Sequence, residues 1–249
     1  MSTQSENRER RDQTLEALRE SRMISTLRFP DPQRLPQVAE SLVEAGVRFL
    51  EVAVQTPMSA TIIADMSRRY QGRAFVGATG VTGMSEAETM LDAGAAFLST
   101  PIVAPMVVAR CRGAGALSII GAFTPTEAFQ SWAAQADFVS IFPAGGLGPG
   151  YLSVLRVAVP RIQIIPSGGV TLQTLPAFLR AGAAAVSVGS KLIDREALIG
   201  ENYSRLTDHA RRFVEAAQSP VPSRSSGIME STTDGMMPPE DTSLGRMGH

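Results

Sequence analysis

The sequence predicts a single (β/α)8 barrel, an α/β fold in which parallel strands alternate with helices. Short apolar runs rich in β-branched residues alternate with helical patterns between about residues 23 and 217. The runs recur at roughly the 20–25-residue spacing that a strand, a helix and two loops require. No Gly-x-Gly-x-x-Gly motif opens after the first run, which weighs against a doubly wound dinucleotide-binding sheet.

Eight predicted strands end in or beside Gly, Pro, Ser or Thr, as buried parallel strands do. In chain order they are MISTLRF, FLEVAV, AFVGAT, AFLSTP, LSIIGAF, FVSIFPA, IQIIPSGG and AVSVGS. Amphipathic segments lie between them, including PQRLPQVAESLVEAG, MSEAETMLDAG, PTEAFQSWAAQ and TLQTLPAFLRAG. Several of these segments close on Ala-Gly, the glycine expected after the last turn of a helix.

The two ends of the chain differ from the barrel segment. RRDQTLEALRES predicts a helix that covers the bottom of the barrel. Beyond Gln218 the chain is rich in Ser, Pro, Gly, Thr and Met without apolar periodicity, which predicts disorder. We therefore expect a flexible N-terminus over 1–12, one barrel over 13–217 and a disordered tail over 218–249.

Composition narrows the classes of partner. A hydrophobic content of 44% with 19% charged residues indicates a well-buried core. The net charge of −1 gives no electrostatic reason to expect a nucleic-acid or anionic-membrane partner. There is no run of about 20 apolar residues. The single cysteine, Cys111, excludes an intrachain disulfide and favours the cytoplasm.

Candidate site residues cluster at the carboxyl ends of the predicted strands, where barrels of this kind carry their chemistry. They are Arg28, Glu51, Gln55, Thr79, Gly80, Thr100, Pro101, Phe123, Thr124, Ser140, Phe142, Gly168, Gly169, Gly189 and Ser190.

All of these residues except Arg28 and Ser140 lie within motifs, which in chain order, with GPGYL added, are GVRFLEVAVQT, VGATGV, GAAFLSTP, GAFTPTEA, IFPA, GPGYL, IIPSGGV and VSVGSKLID. Taken together and in this order, the motifs resemble the 2-keto-3-deoxy-6-phosphogluconate / 4-hydroxy-2-oxoglutarate aldolases over about residues 14–217. The resemblance implies a single-domain TIM barrel that forms a homotrimer, and an imine between a lysine and pyruvate or a related 2-oxo acid. It implies no cofactor and no metal.

Residue by residue, the resemblance implies a proton-shuttling role for Glu51 and an anion-binding role for Arg28. It implies substrate contacts for Thr79, Pro101, Thr124 and Phe142, and phosphate-contacting turns at Gly168, Gly169, Gly189 and Ser190.

Three positions depart from the family pattern. Ser140 stands where the imine lysine is expected, Gln55 replaces the arginine that holds the substrate carboxylate, and Gly80 takes the place of a threonine. A hydroxyl cannot form an imine with a ketone. The departures therefore fall at the reacting end of the site, while the phosphate end keeps its pattern.

Other routes to catalysis have few candidates in the sequence. Ser140 would need a base to act as a nucleophile, and the only histidines are His209 and His249. The only lysine, Lys191, follows the last strand and could form an imine only if its side chain turned into the site. Metal-assisted enolisation needs converging carboxylates or histidines, and only Glu51 is certain to face inward.

Several of these candidate residues could have a structural role instead of a functional one. Glu51 could be satisfied by an ion pair with Arg28 rather than act as an acid or base. The glycine turns could bind an anion through backbone N–H groups beside a helix N-terminus, or simply be tight turns. Cys111 lies in a helical pattern and is expected to pack rather than react.

Two functions remain open on this basis. The first is an aldolase-family lyase that acts on a small anionic, phosphorylated 2-oxo acid by an altered mechanism, with Glu51, Ser140 and Gln55 at the reacting end. The second is a noncatalytic barrel that binds the same kind of ligand as a sensor or scaffold.

Overall fold

A computed structural model describes residues 3–29 and 32–220 and confirms the predicted (β/α)8 barrel. The strands are β1 (Met23–Leu27), β2 (Phe49–Ala53), β3 (Phe75–Thr79), β4 (Phe97–Ser99), β5 (Leu117–Ala122), β6 (Phe138–Ile141), β7 (Ile164–Pro166) and β8 (Val186–Val188). The helices are α1 (Thr3–Ser21), α2 (Leu35–Glu44), α3 (Ser59–Arg69), α4 (Met84–Asp92), α5 (Pro105–Ala114), α6 (Pro125–Ala133), α7 (Gly148–Ala158), α8 (Leu175–Arg180), α9 (Arg195–Ile199) and α10 (Tyr203–Gln218).

The strands form one parallel sheet in the order β7-β6-β5-β4-β3-β2-β1-β8. The two ends of this sheet meet at a bridge between Ser167 and Ser187, so the barrel is nearly closed. Closure removes the exposed strand edges that an open sheet would present. It also places the carboxyl ends of all eight strands around one opening.

The amino-terminal half of the barrel interior is apolar. Phe49, Phe97, Leu117 and Phe138 begin their strands and are almost completely buried. Leu18 of α1 is fully buried in the same cluster, so α1 covers this end of the barrel as the sequence predicted. A fully buried leucine contributes about 1.5–3 kcal/mol from removal of its surface from water.

Helix α1 begins at Thr3, so residues 3–12 continue the helix where the sequence predicted a flexible segment. Asn7 Nδ2 donates to the carbonyl of Gly113 at 2.8 Å, and Arg11 forms a salt bridge with the buried Asp137. These polar contacts with the barrel hold a helix that has little apolar periodicity of its own. The predicted disordered tail lies, from residue 221 onward, outside the described residues.

The carboxyl-terminal half of the interior is polar. Glu51, Ser99, Ser140 and Ser187 are all buried there, although each is a residue type that prefers water.

The predicted packing role of Cys111 fits its position in α5, where burial raises the pKa of the thiol to about 12. Within the described ranges, no helix has the length and apolar character needed to cross a bilayer.

Candidate functional site

A cavity of about 430 Å³ opens at the carboxyl ends of the strands. It gathers eleven of the twelve residues to which the sequence assigned a site role. These are Arg28, Glu51, Gln55, Thr79, Pro101, Ser140, Phe142, Gly168, Gly169, Gly189 and Ser190.

Thr124 does not line this cavity. It is the N-cap of α6, where its hydroxyl accepts from the backbone N–H of Glu127 at 3.3 Å. The Glu127 carboxylate accepts in return from the N–H of Thr124 at 2.8 Å, which completes a capping box. The contacts that the structure gives Thr124 are therefore those of a helix cap.

Glu51 lies at the centre of a cage of three hydroxyl groups. Its Oε1 accepts from Thr26 Oγ1 at 2.7 Å and from Ser187 Oγ at 3.0 Å. Its Oε2 accepts from Ser99 Oγ at 2.7 Å. Strands β1, β4 and β8 thus each contribute one hydroxyl group to hold the carboxyl group of Glu51 on β2, a residue that is 2% exposed.

Burial leaves Glu51 easier to protonate than an ordinary glutamate. Burial raises its pKa, and the hydroxyl hydrogen bonds and the charge of Arg28 oppose that shift only in part. Thr26 and Ser187 are also 3.0 Å from each other, but each hydroxyl has a single proton. While Glu51 is ionised, these two protons serve three oxygen contacts, so one contact at a time lacks a donor.

The roles of the three hydroxyl residues around Glu51, which are Thr26, Ser99 and Ser187, were not predicted from the sequence. Thr26 is the direct register partner of Glu51 across β1 and β2, so strand alternation together with the pairing register would have found it. Ser99 and Ser187 require the registers of three further strand pairs, which no local pattern supplies.

The ion pair considered for Glu51 and Arg28 is not formed. Among the described residues, Glu51 is held by hydroxyl groups alone, and Arg28 acts on it only through its charge. Arg28 follows β1, is exposed and lines the cavity. Its guanidinium is therefore available to an anion in the cavity.

Ser140 faces the cavity from β6. Its register partners are Gly121 on β5 and Ile165 on β7, and it is 5% exposed. Its hydroxyl makes no hydrogen bond to any described residue, whereas Ser99 and Ser187 are tied to Glu51. The hydroxyl of Ser140 is thus free to bind a ligand atom.

Gln55 and Gly80 form a matched pair at the mouth of the cavity. A Cβ placed on Gly80 would lie 2.9 Å from Gln55 Nε2, and Gly80 has a φ of +80°. The left-handed backbone favours glycine here, and any side chain would have to push aside the end of the Gln55 side chain. A threonine at position 80, the residue that the family resemblance leads us to expect, would have to displace the side chain of Gln55.

The turns after β7 and β8 present free backbone donors to the cavity. Within the described residues, the N–H groups of Gly169 and Ser190 have no acceptor. Gly169 has a φ of +88°, and a Cβ there would lie 2.8 Å from the Cα of Gly145. Helix α8 begins only at Leu175, so the residues that line the cavity after β7 belong to the turn rather than to a helix N-terminus.

Lys191 lies at the rim of the cavity and is exposed. Its carbonyl accepts from His209 Nε2 of α10 at 3.0 Å, which assigns His209 to the outer wall rather than to the cavity. In the described part of the chain, no group of three or more His, Cys, Asp and Glu side chains is arranged to hold a metal ion.

The model of the family described as KDPG and KHG aldolase matches residues 15–209. The chain is 28% identical over 200 residues to the 2-dehydro-3-deoxy-6-phosphogalactonate aldolase of Escherichia coli strain K12. That match covers 80% of this chain and 96% of the relative.

Solved structures agree with this assignment of the fold. The native KDPGal structure superposes with a TM-score of 0.71 at 28% identity, covering 78% of this chain and 93% of that chain. A cube-shaped, highly porous protein cage, designed by fusing symmetric oligomeric domains, gives a TM-score of 0.72 at 28% identity. It covers 79% of this chain and 73% of that chain.

Proposed function

The chain belongs to the KDPG and KHG aldolase family, and we propose that it is a carbon–carbon lyase for a small, phosphorylated 2-oxo acid that works without a lysine imine. One observation carries the proposal. The Glu51 carboxyl, the free Ser140 hydroxyl and the N–H groups of Gly169 and Ser190 all open onto one cavity. An acid–base group, a polar group at the reacting end and an anion site are what such a reaction needs.

The substrate class follows from the anion side of the cavity. By its name, the Escherichia coli relative acts on a 6-phosphorylated 2-dehydro-3-deoxy sugar acid. Two free N–H groups with Arg28 and Lys191 beside them provide donors and positive charge for such a phosphate. The carboxylate and the carbonyl of the substrate would then extend toward Glu51 and Ser140.

Cleavage can be written on these groups with its atoms balanced. Glu51 accepts the proton of the C4 hydroxyl as the C3–C4 bond breaks, so C4 becomes an aldehyde. The electron pair of that bond forms the enolate of pyruvate, whose oxygen accepts a hydrogen bond from Ser140. Glu51 then returns the proton to C3. A hydrogen bond stabilises the enolate less than an imine would, so the reaction is expected to be slow.

The test is pyruvate release from a panel of 2-oxo-3-deoxy sugar acid phosphates. Wild type should release pyruvate, and Glu51→Gln should lower the rate by about 10²–10⁴, the usual contribution of a positioned acid–base group. Ser140→Ala should lower it less, and Ser140→Lys should raise it. A rate that is unaffected by Glu51→Gln would contradict the proposal.

A noncatalytic, ligand-binding barrel is the second candidate. This function is favoured because Lys191, the single lysine that lines the cavity, lies exposed at its rim. Phosphate binding without pyruvate release from any member of the panel, in wild type and in Ser140→Lys, would establish this function instead.

We also propose a homotrimer in the cytoplasm. The family resemblance supports it, as does the relation to a cage built from symmetric oligomeric domains. Large apolar side chains are exposed at the ends of β4 and β5 and in the helices that follow, which is unusual for an isolated barrel. They are Ile102, Met106, Phe123 and Phe129. Light scattering should give a mass three times the 26.5 kDa of the chain, and Phe129→Asp should lower it.

A further inference from the structure

A second hollow of about 460 Å³ lies beside the cavity, between the end of β1 and the segment that follows β8. We call it the annex. Its apolar wall is formed by Phe29, Ile193 and Leu198, which are all partly buried, and its charged residues are Arg28 and Arg195. Apolar walls with a few placed charges are typical of sites for small organic ligands.

The annex is continuous with the cavity rather than a separate surface feature. Thr26, Arg28, Gly189 and Ser190 line both spaces. The free N–H of Ser190 lies at this junction. A group held by Ser190 and Arg28 therefore has the cavity on one side and the annex on the other.

The guanidinium groups of the annex are not engaged in ion pairs within the described part of the chain, although the charge of Arg28 acts on Glu51. Among the described residues, neither Arg28 nor Arg195 forms a salt bridge with a carboxylate. Arg205 nearby is held by Asp194, with Nε donating to Oδ2 at 2.8 Å. The two free guanidinium groups therefore favour an anion at or near the junction.

Hydrogen bonds from other elements hold the backbone of the segment that carries part of the annex wall. Arg34 Nη1 donates to the carbonyl of Leu198 at 2.8 Å, and His209 Nε2 donates to that of Lys191 at 3.0 Å. A wall that is already ordered loses little conformational entropy when a ligand binds. The shape of the annex is therefore built into the fold.

We propose that the annex binds an apolar group carried by the anion that sits at Ser190 and Arg28. The ligand class is an organic phosphate whose phosphate lies at the junction and whose ester group packs on Phe29, Ile193 and Leu198. In the proposed reaction this means a substrate with an apolar substituent beyond its phosphate. The inference rests on the proposed anion site.

The test compares the affinities of inorganic phosphate and phenyl phosphate, measured by calorimetry on the full chain. Wild type should bind phenyl phosphate about tenfold more tightly, the gain expected from burying one face of the ring. Leu198→Ser should reduce this preference to about twofold or less and leave the affinity for phosphate unchanged. Ile199→Ser, the neighbouring position on α9 that is 67% exposed, is the matched control and should keep the tenfold preference.

The outcomes separate this inference from the function on which it rests. Phosphate binding with the same preference for phenyl phosphate in wild type and Leu198→Ser would overturn the annex but keep the anion site. Failure of both ligands to bind would overturn the anion site and the annex together. Circular dichroism checks that Leu198→Ser is folded, and Ile193→Ser, scored in the same way, replaces it if it is not.

Discussion

The two sides of the cavity differ in how their polar groups are satisfied. On the reacting side, Glu51 receives three hydrogen bonds from protein hydroxyls, and Gln55 packs against Gly80. On the anion side, the N–H groups of Gly169 and Ser190 have no acceptor among the described residues. The anion side therefore offers unpaired backbone donors, whereas the Glu51 carboxyl on the reacting side is already hydrogen-bonded and must exchange a contact to act.

The largest effect is expected on the anion side, from Gly169→Ala. The left-handed backbone and the 2.8 Å approach to Gly145 leave no room for a Cβ. We expect a loss of about 1–3 kcal/mol in the free energy of unfolding and at least a tenfold loss of phosphate affinity. Gly146→Ala is the matched control, because nothing lies within 4 Å of a Cβ there. Equal phosphate affinity of the two variants would contradict the claim that the turn at Gly169 forms the anion side of the cavity.

A smaller effect is expected on the reacting side, from Ser99→Ala. This change removes a 2.7 Å hydrogen bond to the buried carboxyl of Glu51 and should cost about 1–3 kcal/mol in chemical denaturation. Ser25→Ala is the control, because the Ser25 hydroxyl is buried without a partner among the described residues. Phosphate affinity should not change in either variant. If Ser25→Ala costs as much as Ser99→Ala, the cage is not what stabilises Glu51.

The smallest effect is the pH dependence of stability that comes from Glu51. Because burial raises its pKa in the fold, the folded chain holds this proton more tightly than the unfolded chain. The contribution of Glu51 to stability is complete below the unfolded-state value near 4.5 and is lost as the pH rises through the folded-state pKa. The free energy of unfolding of wild type should therefore fall relative to Glu51→Gln over this window, and a rise would contradict the direction of the shift.

The strands of the barrel could be predicted because each is a short apolar run, but their ends could not. AFLSTP forms strand only over Phe97–Ser99, and IQIIPSGG only over Ile164–Pro166. Proline has no N–H for the ladder, and the glycines turn the chain, so pairing stops early. The capping box at Thr124 was visible in the sequence as T-x-x-E before an apolar segment.

The residues at the carboxyl ends of the strands could be predicted from the sequence, but the hydroxyl residues that surround Glu51 could not. Glu51 stands out because a carboxylate in an apolar strand is rare, whereas Thr26 and Ser187 are ordinary strand residues. Their role arises only when β1 and β8 are placed beside β2 in one register. The annex was missed for the same reason, since Phe29 and Leu198 are far apart in the chain.

We propose that this aldolase-family cavity catalyses its reaction, or binds its ligand, without forming a lysine imine. The direct measurement is mass spectrometry after treatment with pyruvate and borohydride, which reduces an imine to a stable adduct. We predict no adduct on wild type and one adduct at position 140 of Ser140→Lys, because that position faces the cavity. An adduct on Lys191 of the wild-type protein would contradict the claim.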